Sequence, residues 1–295
     1  MPGPRQVSFR LAVTLALGAQ LSVNLASGLA VHAFAVTGAA VVVLARNGLS
    51  AMVLLALTRP KLRRFNRRAW TAAIAYGIAM AAMNSLFYEA IEVMPVGPAV
   101  TVEMLGPLVL SVALVRRWRA WLWAVLALGG VALLNGFKLA ELASPGSLLA
   151  LSAGVMWAAY IVAARGVGRA FNGAEGLAVG MTVAALVCLP RGIVYLAQSP
   201  PTWPVLGWGM VVALLGTLIP YGLEMTALRG MAAATFSVMT AVAPASAALF
   251  GWLVAGQGLS LWAIGGMALV MVASFGAARG DPAARGDPSG QARPG

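Results

Sequence analysis

VTGAAVVVLARNGLSAMVLLALTRPKLRRFNRR, residues 36–68, is the stretch whose reading decides the fold. Residues 36–58 hold a single charge, Arg46. The next ten residues hold six: Arg59, Lys61, Arg63, Arg64, Arg67 and Arg68. At ~1.5 Å per residue, a helix over 36–58 is long enough to cross a hydrocarbon core of about 30 Å. Lys and Arg collect on the cytoplasmic side of membrane spans. The stretch therefore reads as a membrane-crossing helix followed by a loop on the positive side.

The same alternation runs through the chain. Only 9% of its 295 residues are charged while 61% are hydrophobic, and the mean hydropathy is +0.88. A soluble protein of this length carries roughly 25% charged residues to cover its surface. The pattern predicts an all-α membrane protein with spans at 11–31, 36–58, 70–91, 96–115, 120–137, 146–164, 174–196, 204–227, 232–255 and 260–277. Seventeen of the 20 Lys and Arg then fall on one face of the membrane. They are Arg5, Arg10, the six above, Arg116, Arg117, Arg119, Arg165, Arg169, Arg229, Arg279, Arg285 and Arg293. The opposite face receives Lys138. Both termini are expected in the cytoplasm. The net charge of +12 belongs to this topology and not to a nucleic-acid surface, so no nucleic-acid partner is expected.

The N-terminal stretch, with Arg5, Arg10 and Ala33-Phe34-Ala35, imitates a cleavable signal peptide. Gln20, Ser22 and Asn24 interrupt its apolar core, and the span is expected to be retained. Residues 278–295, rich in Gly, Pro, Ala and Arg, read as a disordered cytoplasmic tail. Cys188, the single cysteine, lies in an apolar run, and His32 reads as a polar loop-end residue. Trp70, Trp118, Trp121 and Trp203 fall at span ends, where amphipathic rings gather.

Sliding the chain on itself by 137 residues aligns Ala90, Ile91, Met94 and Pro107 with Ala227, Leu228, Met231 and Pro244. Five spans per copy is an odd number, so the second copy enters the membrane inverted, an arrangement found in alternating-access transporters. The expected units are a 1–10 cytoplasmic tail, a first repeat at 11–137, a periplasmic linker at 138–145, a second repeat at 146–277 and the tail. Proline within a span removes a backbone hydrogen bond, and the freed carbonyl often faces a cavity. Pro107 and Pro244 place such kinks at related positions, and Pro190 and Pro220 add two more.

Charges inside the bilayer are costly and mark pathways or partners. Glu103 lies eight residues past Pro95, so ~12 Å below the outer surface. It can bind and release a proton, hold a substrate ammonium, or pair structurally with Arg46, which lies at a similar height. Arg46 can neutralise Glu103 or clamp a substrate carboxylate. Thr217, Tyr221 and Glu224 form one helical stripe, Asn84 and Phe87 another, and Phe236, Thr240 and Ala243 a third. Glu89 and Glu92 read as solvated. No nucleophile–base set, metal cluster or phosphate loop is present, so neither catalysis, nor a metal, nor a cofactor is expected.

Met83-Asn84-Ser85-Leu86-Phe87-Tyr88, then Pro95-Val96-Gly97 and Val102-Glu103-Met104-Leu105-Gly106-Pro107, resemble the drug/metabolite transporter superfamily. The nearer likeness is to its EamA-domain branch and the bacterial threonine/homoserine exporter group. Trp157-Ala158-Ala159-Tyr160-Ile161 and Ile219-Pro220-Tyr221-Gly222-Leu223-Glu224-Met225 resemble the sixth- and eighth-span motifs of the same group, and Arg46 falls where that group carries an arginine. The resemblance covers residues 10–277. It implies ten helices in two inverted repeats, a bacterial inner membrane, a central cavity, and export of small amino acids in exchange for protons. Two departures stand out. Ala243 replaces a glutamate usual before the ninth-span proline, and Gly256-Gln257-Gly258 replaces a Gly-Glu pair, a change expected to matter less because it lies at the surface.

The sequence thus predicts a secondary transporter whose partners are a small-molecule substrate, protons and the bilayer. Its pathway residues are expected to be Glu103, Arg46, Tyr221, Glu224, Asn84, Phe87, Trp157 and Thr240, with helix kinks at Pro107 and Pro244. Another solute (a nucleobase, nucleoside or hydrophobic amino acid) or a passive channel is compatible with the same fold.

Overall fold

The computed structural model describes residues 7–115, 118–134, 143–171, 174–198, 203–227, 230, 231, 236 and 239–280. Arg5, Arg116, Arg117, Lys138, Leu228, Arg229, the core of the linker and the tail beyond Gly280 lie outside the described residues. The described residues are helical, with no strand among them. The elements are α1 (Phe9–Thr37), α2 (Ala39–Thr58), α3 (Arg67–Val93), α4a (Val96–Glu103), α4b (Leu105–Val115) and α5 (Trp118–Leu134). They continue as α6 (Pro145–Ala170), α7 (Glu175–Gln198), α8a (Trp203–Ala213), α8b (Ile219–Ala227), α9 (Ala243–Leu253) and α10 (Leu261–Gly280). A π-helical turn, Leu214–Leu218, joins α8a to α8b. Six helices, with α8a and α8b counted as one, are long and apolar enough to cross a membrane, and four shorter apolar helices accompany them.

The helices start where polar caps meet orphan backbone donors. Asn66 accepts from the Ala69 amide at 2.9 Å, Ser144 from Ser147 at 3.3 Å and Ser260 from Ala263 at 3.1 Å. Pro145 opens α6, at a position where its missing N–H costs nothing. Two helices run furthest past the ends expected from hydropathy, α1 beyond residue 31 and α6 beyond residue 164. α1 continues to Thr37, because the first residue able to turn the chain is Gly38, whose φ of 71° suits glycine. His32 is consequently not at a loop end. Its Nε2 sits 2.7 Å from the Val254 carbonyl, tying α1 to the end of α9. α6 continues to Ala170, past Arg165 and Arg169, and ends where Phe171 packs edge-on against Phe65 at 4.6 Å.

Alanine and glycine dominate the helix contacts, letting backbones approach closely. α3 lies along α6, α2 along α7, α5 along α10, α4a against α9, and α1 against α8b. At two crossings the helices all but touch. Gly130 meets Gly266, and Gly106 of α4b meets Gly154 of α6 so closely that a methyl on Gly106 would overlap the Gly154 backbone, and one on Gly154 the Glu103 backbone.

Candidate functional site

The site is built around two prolines that each take a hydrogen bond away from a helix. Pro107 cannot donate to the carbonyl of Glu103, and the fourth helix breaks at Met104, between α4a and α4b. The freed carbonyl lies over Gly154, where only a glycine leaves room. The Glu103 side chain is 7% exposed and makes no hydrogen bond to a described residue. In the second half, Met239 and Thr240 are helical, Ala241 and Val242 form a turn, and Pro244 lies in the first turn of α9. The 137-residue offset brings Thr240 onto Glu103, so both halves break directly after the matched residue. Thr240 is half-buried.

Pro220 acts in the same way on the eighth helix. Its missing N–H leaves the Gly216 carbonyl free, and the Ile219 amide bonds back to Leu214, which frees the Leu215 carbonyl as well. Side chains from two other helices take up these carbonyls. Ser22 Oγ of α1 donates to Leu215 at 2.7 Å, and Arg46 Nη2 of α2 donates to Gly216 at 2.7 Å. Arg46 also donates through Nε to Thr217 Oγ1 at 3.0 Å and through Nη1 to Tyr88 Oη at 3.1 Å. Its guanidinium carbon lies 5.4 Å from the centre of the Tyr88 ring, and Tyr88 is fully buried. Phe87 packs edge-on against Tyr88 at 5.9 Å.

Arg46 is the charged group whose field reaches Glu103, yet the two form no ion pair. This decides the open structural question about Arg46: its fork is engaged by the π turn and by Tyr88. Glu103 lies within electrostatic reach of Arg46 without pairing with it.

One helical turn beyond Thr217, three tyrosines from three helices close a ring of hydroxyls. Tyr221 Oη lies 2.6 Å from Tyr160 Oη and 2.7 Å from Tyr76 Oη, and Tyr76 to Tyr160 is 3.3 Å. Each hydroxyl has one donor and two acceptor sites, so a closed ring satisfies all three without water. Glu224, half-buried, lies within electrostatic reach of Tyr160 and Tyr221. Trp157, one turn from Tyr160 on α6, packs half-buried against the central core.

Asn84 is placed differently from the expectation. Its amide donates to Asn47 Oδ1 at 3.1 Å, Asn47 donates to Cys188 Sγ at 3.4 Å, and Ser85 lies 3.8 Å from the same sulfur. This polar cluster binds α2, α3 and α7 together. Glu89 is not merely solvated either: it forms an ion pair with Arg191 of α7. Gln257 does more than sit at a surface. Half-buried, it accepts from the Val96 amide at 3.0 Å and caps α4a, whose own N-cap residue, Pro95, offers no side-chain acceptor. Tyr76, Tyr88 and Asn47 escaped the sequence reading. Tyr88 could have been found from its position four residues after Asn84 on the same helix face.

No group of three or more His, Cys, Asp or Glu converges among the described residues. Fold and site together define a multi-pass helical membrane protein with a buried carboxyl, Glu103, and a half-buried guanidinium, Arg46, between its helices.

Comparison with known proteins gives the class a family. Residues 144–279 match the EamA-like transporter family. The threonine/homoserine exporter RhtA of Salmonella typhimurium (strain SL1344) is 34% identical over 230 residues, covering 77% of this chain and 78% of the relative. RhtA of Escherichia coli (strain K12) matches with the same identity and coverage. A solved crystal structure of another protein, 24% identical, superposes with a TM-score of 0.58 over 92% of this chain and 98% of its own, a likeness of fold alone. This chain belongs to the EamA-like transporter family.

Proposed function

We propose that the chain is a secondary transporter of the cytoplasmic membrane that exports small amino acids, threonine- or homoserine-like, in exchange for protons by alternating access. The observation that carries this reading is Glu103, a buried carboxyl at a helix break, without a hydrogen bond of its own, within electrostatic reach of a cation engaged elsewhere. An α-amino acid carries an ammonium and a carboxylate. Glu103 can take the first. Arg46 has five N–H groups and uses three within the protein, which leaves two for the second. RhtA, by its name an exporter of threonine and homoserine, supports the same substrate class.

In this cycle an external proton reaches Glu103 and neutralises it, and the ammonium is released outward. After the path reopens inward the proton leaves to the cytoplasm and the next substrate binds the carboxylate. The ring of Tyr76, Tyr160 and Tyr221 is the inward closure, with Glu224 on its cytoplasmic side. Thr240, Phe87 and Trp157 shape the pathway. Asn84 belongs to it through the packing of α2 and α3, and Pro107 and Pro244 supply the matched bends.

Ten helices in two inverted repeats, 11–137 and 146–277, linked by 138–145 and with cytoplasmic termini, complete the reading. The helix pairings support it. Exchanging each helix for its counterpart five places along turns α3 on α6 into α8 on α1, α3 on α7 into α8 on α2, and α1 on α9 into α6 on α4. The pairs α2–α7, α4–α9 and α5–α10 map onto themselves.

The test is efflux from cells preloaded with labelled threonine, homoserine and several nucleosides, comparing the intact protein, Glu103→Gln and an empty vector. Saturable amino-acid efflux that the variant loses is the expected result. Nucleoside efflux alone would reassign the solute, with Ala243 the first residue to exchange. Unsaturable flux indifferent to pH would replace the transporter with a channel.

A further inference from the structure

The Glu89–Arg191 pair lies apart from the central site, on the outer surface of the bundle. Arg191 is 56% exposed and Glu89 22%; Val187 and Val194 beside Arg191, and Ile78 further along α3, are exposed apolar residues of the kind that face lipid. Full charges on a lipid-facing surface are costly unless a polar group meets them. The pair does not exhaust either partner: one of the five Arg191 N–H groups and one of the two Glu89 oxygens are used.

Below the pair a groove of about 130 Å³ opens between α2, α3 and α7. It exists because both flanking helices present small residues, Ala39 and Ala40 from α2 and Ala81 and Ala82 from α3. Along α3 the groove runs from Glu89 to Ile78, eleven residues or ~16 Å, which is about half of a ~30 Å hydrocarbon core and so the depth of one leaflet. The charges stand at one mouth. Glu89 is four residues from the end of α3 at Val93, and Arg191 seven from the end of α7 at Gln198. Charge at the headgroup level with an apolar channel one leaflet deep beneath it is the shape of a lipid site.

We propose that this face binds one phospholipid whose headgroup carries both a phosphate and a primary ammonium. Arg191 takes the phosphate through its planar fork, Glu89 takes the ammonium, and one acyl chain lies in the alanine-lined groove. The Glu89 carboxylate gives the site its preference, because it repels a headgroup of net negative charge.

The test uses the full chain purified in detergent, with native mass spectrometry to count retained lipid after adding phosphatidylethanolamine, phosphatidylglycerol or diacylglycerol. The intact protein is expected to retain one phosphatidylethanolamine about tenfold better than either of the others. Arg191→Gln should abolish that preference, and Glu89→Gln should shift it toward phosphatidylglycerol. Ala82→Phe, which fills the groove and keeps both charges, should lower retention of all three. Thermal unfolding of each variant separates lost binding from lost fold, and if Arg191→Gln does not fold, the shift in Glu89→Gln decides. Equal retention of the three lipids by the intact protein, or an unchanged preference in the charge variants, overturns the proposal. Neither readout depends on transport.

Discussion

Arg46 has a structural role that the hydrogen bonds show and a substrate-binding role that is proposed. Its planar fork meets a carbonyl, a hydroxyl and a phenol in three directions, which a point-charge ammonium cannot do. Arg46→Lys should therefore lower stability by about 3 kcal/mol and reduce efflux together, since at least two charge-assisted bonds are lost. Thr217→Val, which removes a single acceptor, should cost about 1 kcal/mol. Thermal unfolding in detergent measures both. Equal stability of Arg46→Lys and the parent would mean that the latch carries no weight. Sequence reading singled out Arg46 and Glu103 because charge inside an apolar run is conspicuous. It left their relation open, because height along a helix does not say which way a fork points.

At the scale of the element, the prolines were legible and their consequences only partly so. Pro107 and Pro244 predicted kinks, and the helices break at Met104 and at Ala241–Val242. Pro220 was noted, but the π turn before it leaves no residue signature: it follows from which carbonyls Ser22 and Arg46 can reach. Pro220→Ala restores a donor to the Gly216 carbonyl, in competition with Arg46. The expected outcome is an unchanged or raised unfolding temperature with efflux down about tenfold. Undiminished efflux would separate the π turn from function. The tyrosine ring was hidden for a different reason. Tyr76, Tyr160 and Tyr221 come from helices far apart in the chain, and no local pattern brings them together. Hydropathy set the helix limits well where a glycine or a cap residue coincided with the membrane edge. It set them short at Thr37 and Ala170, because a helix ends where its backbone turns and not where lipid stops.

For the whole molecule, the charge ladder carries the expected orientation, each loop being an independent indication of its side. Orientation can be tested in a Cys188→Ser background, which removes the single thiol. Arg64→Cys should react with a membrane-impermeant maleimide only in inside-out vesicles, and Val254→Cys only in right-side-out ones. Labelling from the opposite sides would reverse the assignment. Four aligned residues say nothing of helix pairing; the pairing of α3 with α6 and of α8 with α1 supports the proposed repeat.

The central claim is that Glu103 couples solute to proton. The most direct measurement is threonine flux in proteoliposomes, with and without an imposed pH gradient, for the intact protein and Glu103→Gln. The account predicts that the gradient drives threonine against its concentration through the intact protein. In Glu103→Gln that accumulation should vanish, while any remaining exchange becomes insensitive to pH. Gradient-driven accumulation that survives in Glu103→Gln would contradict it.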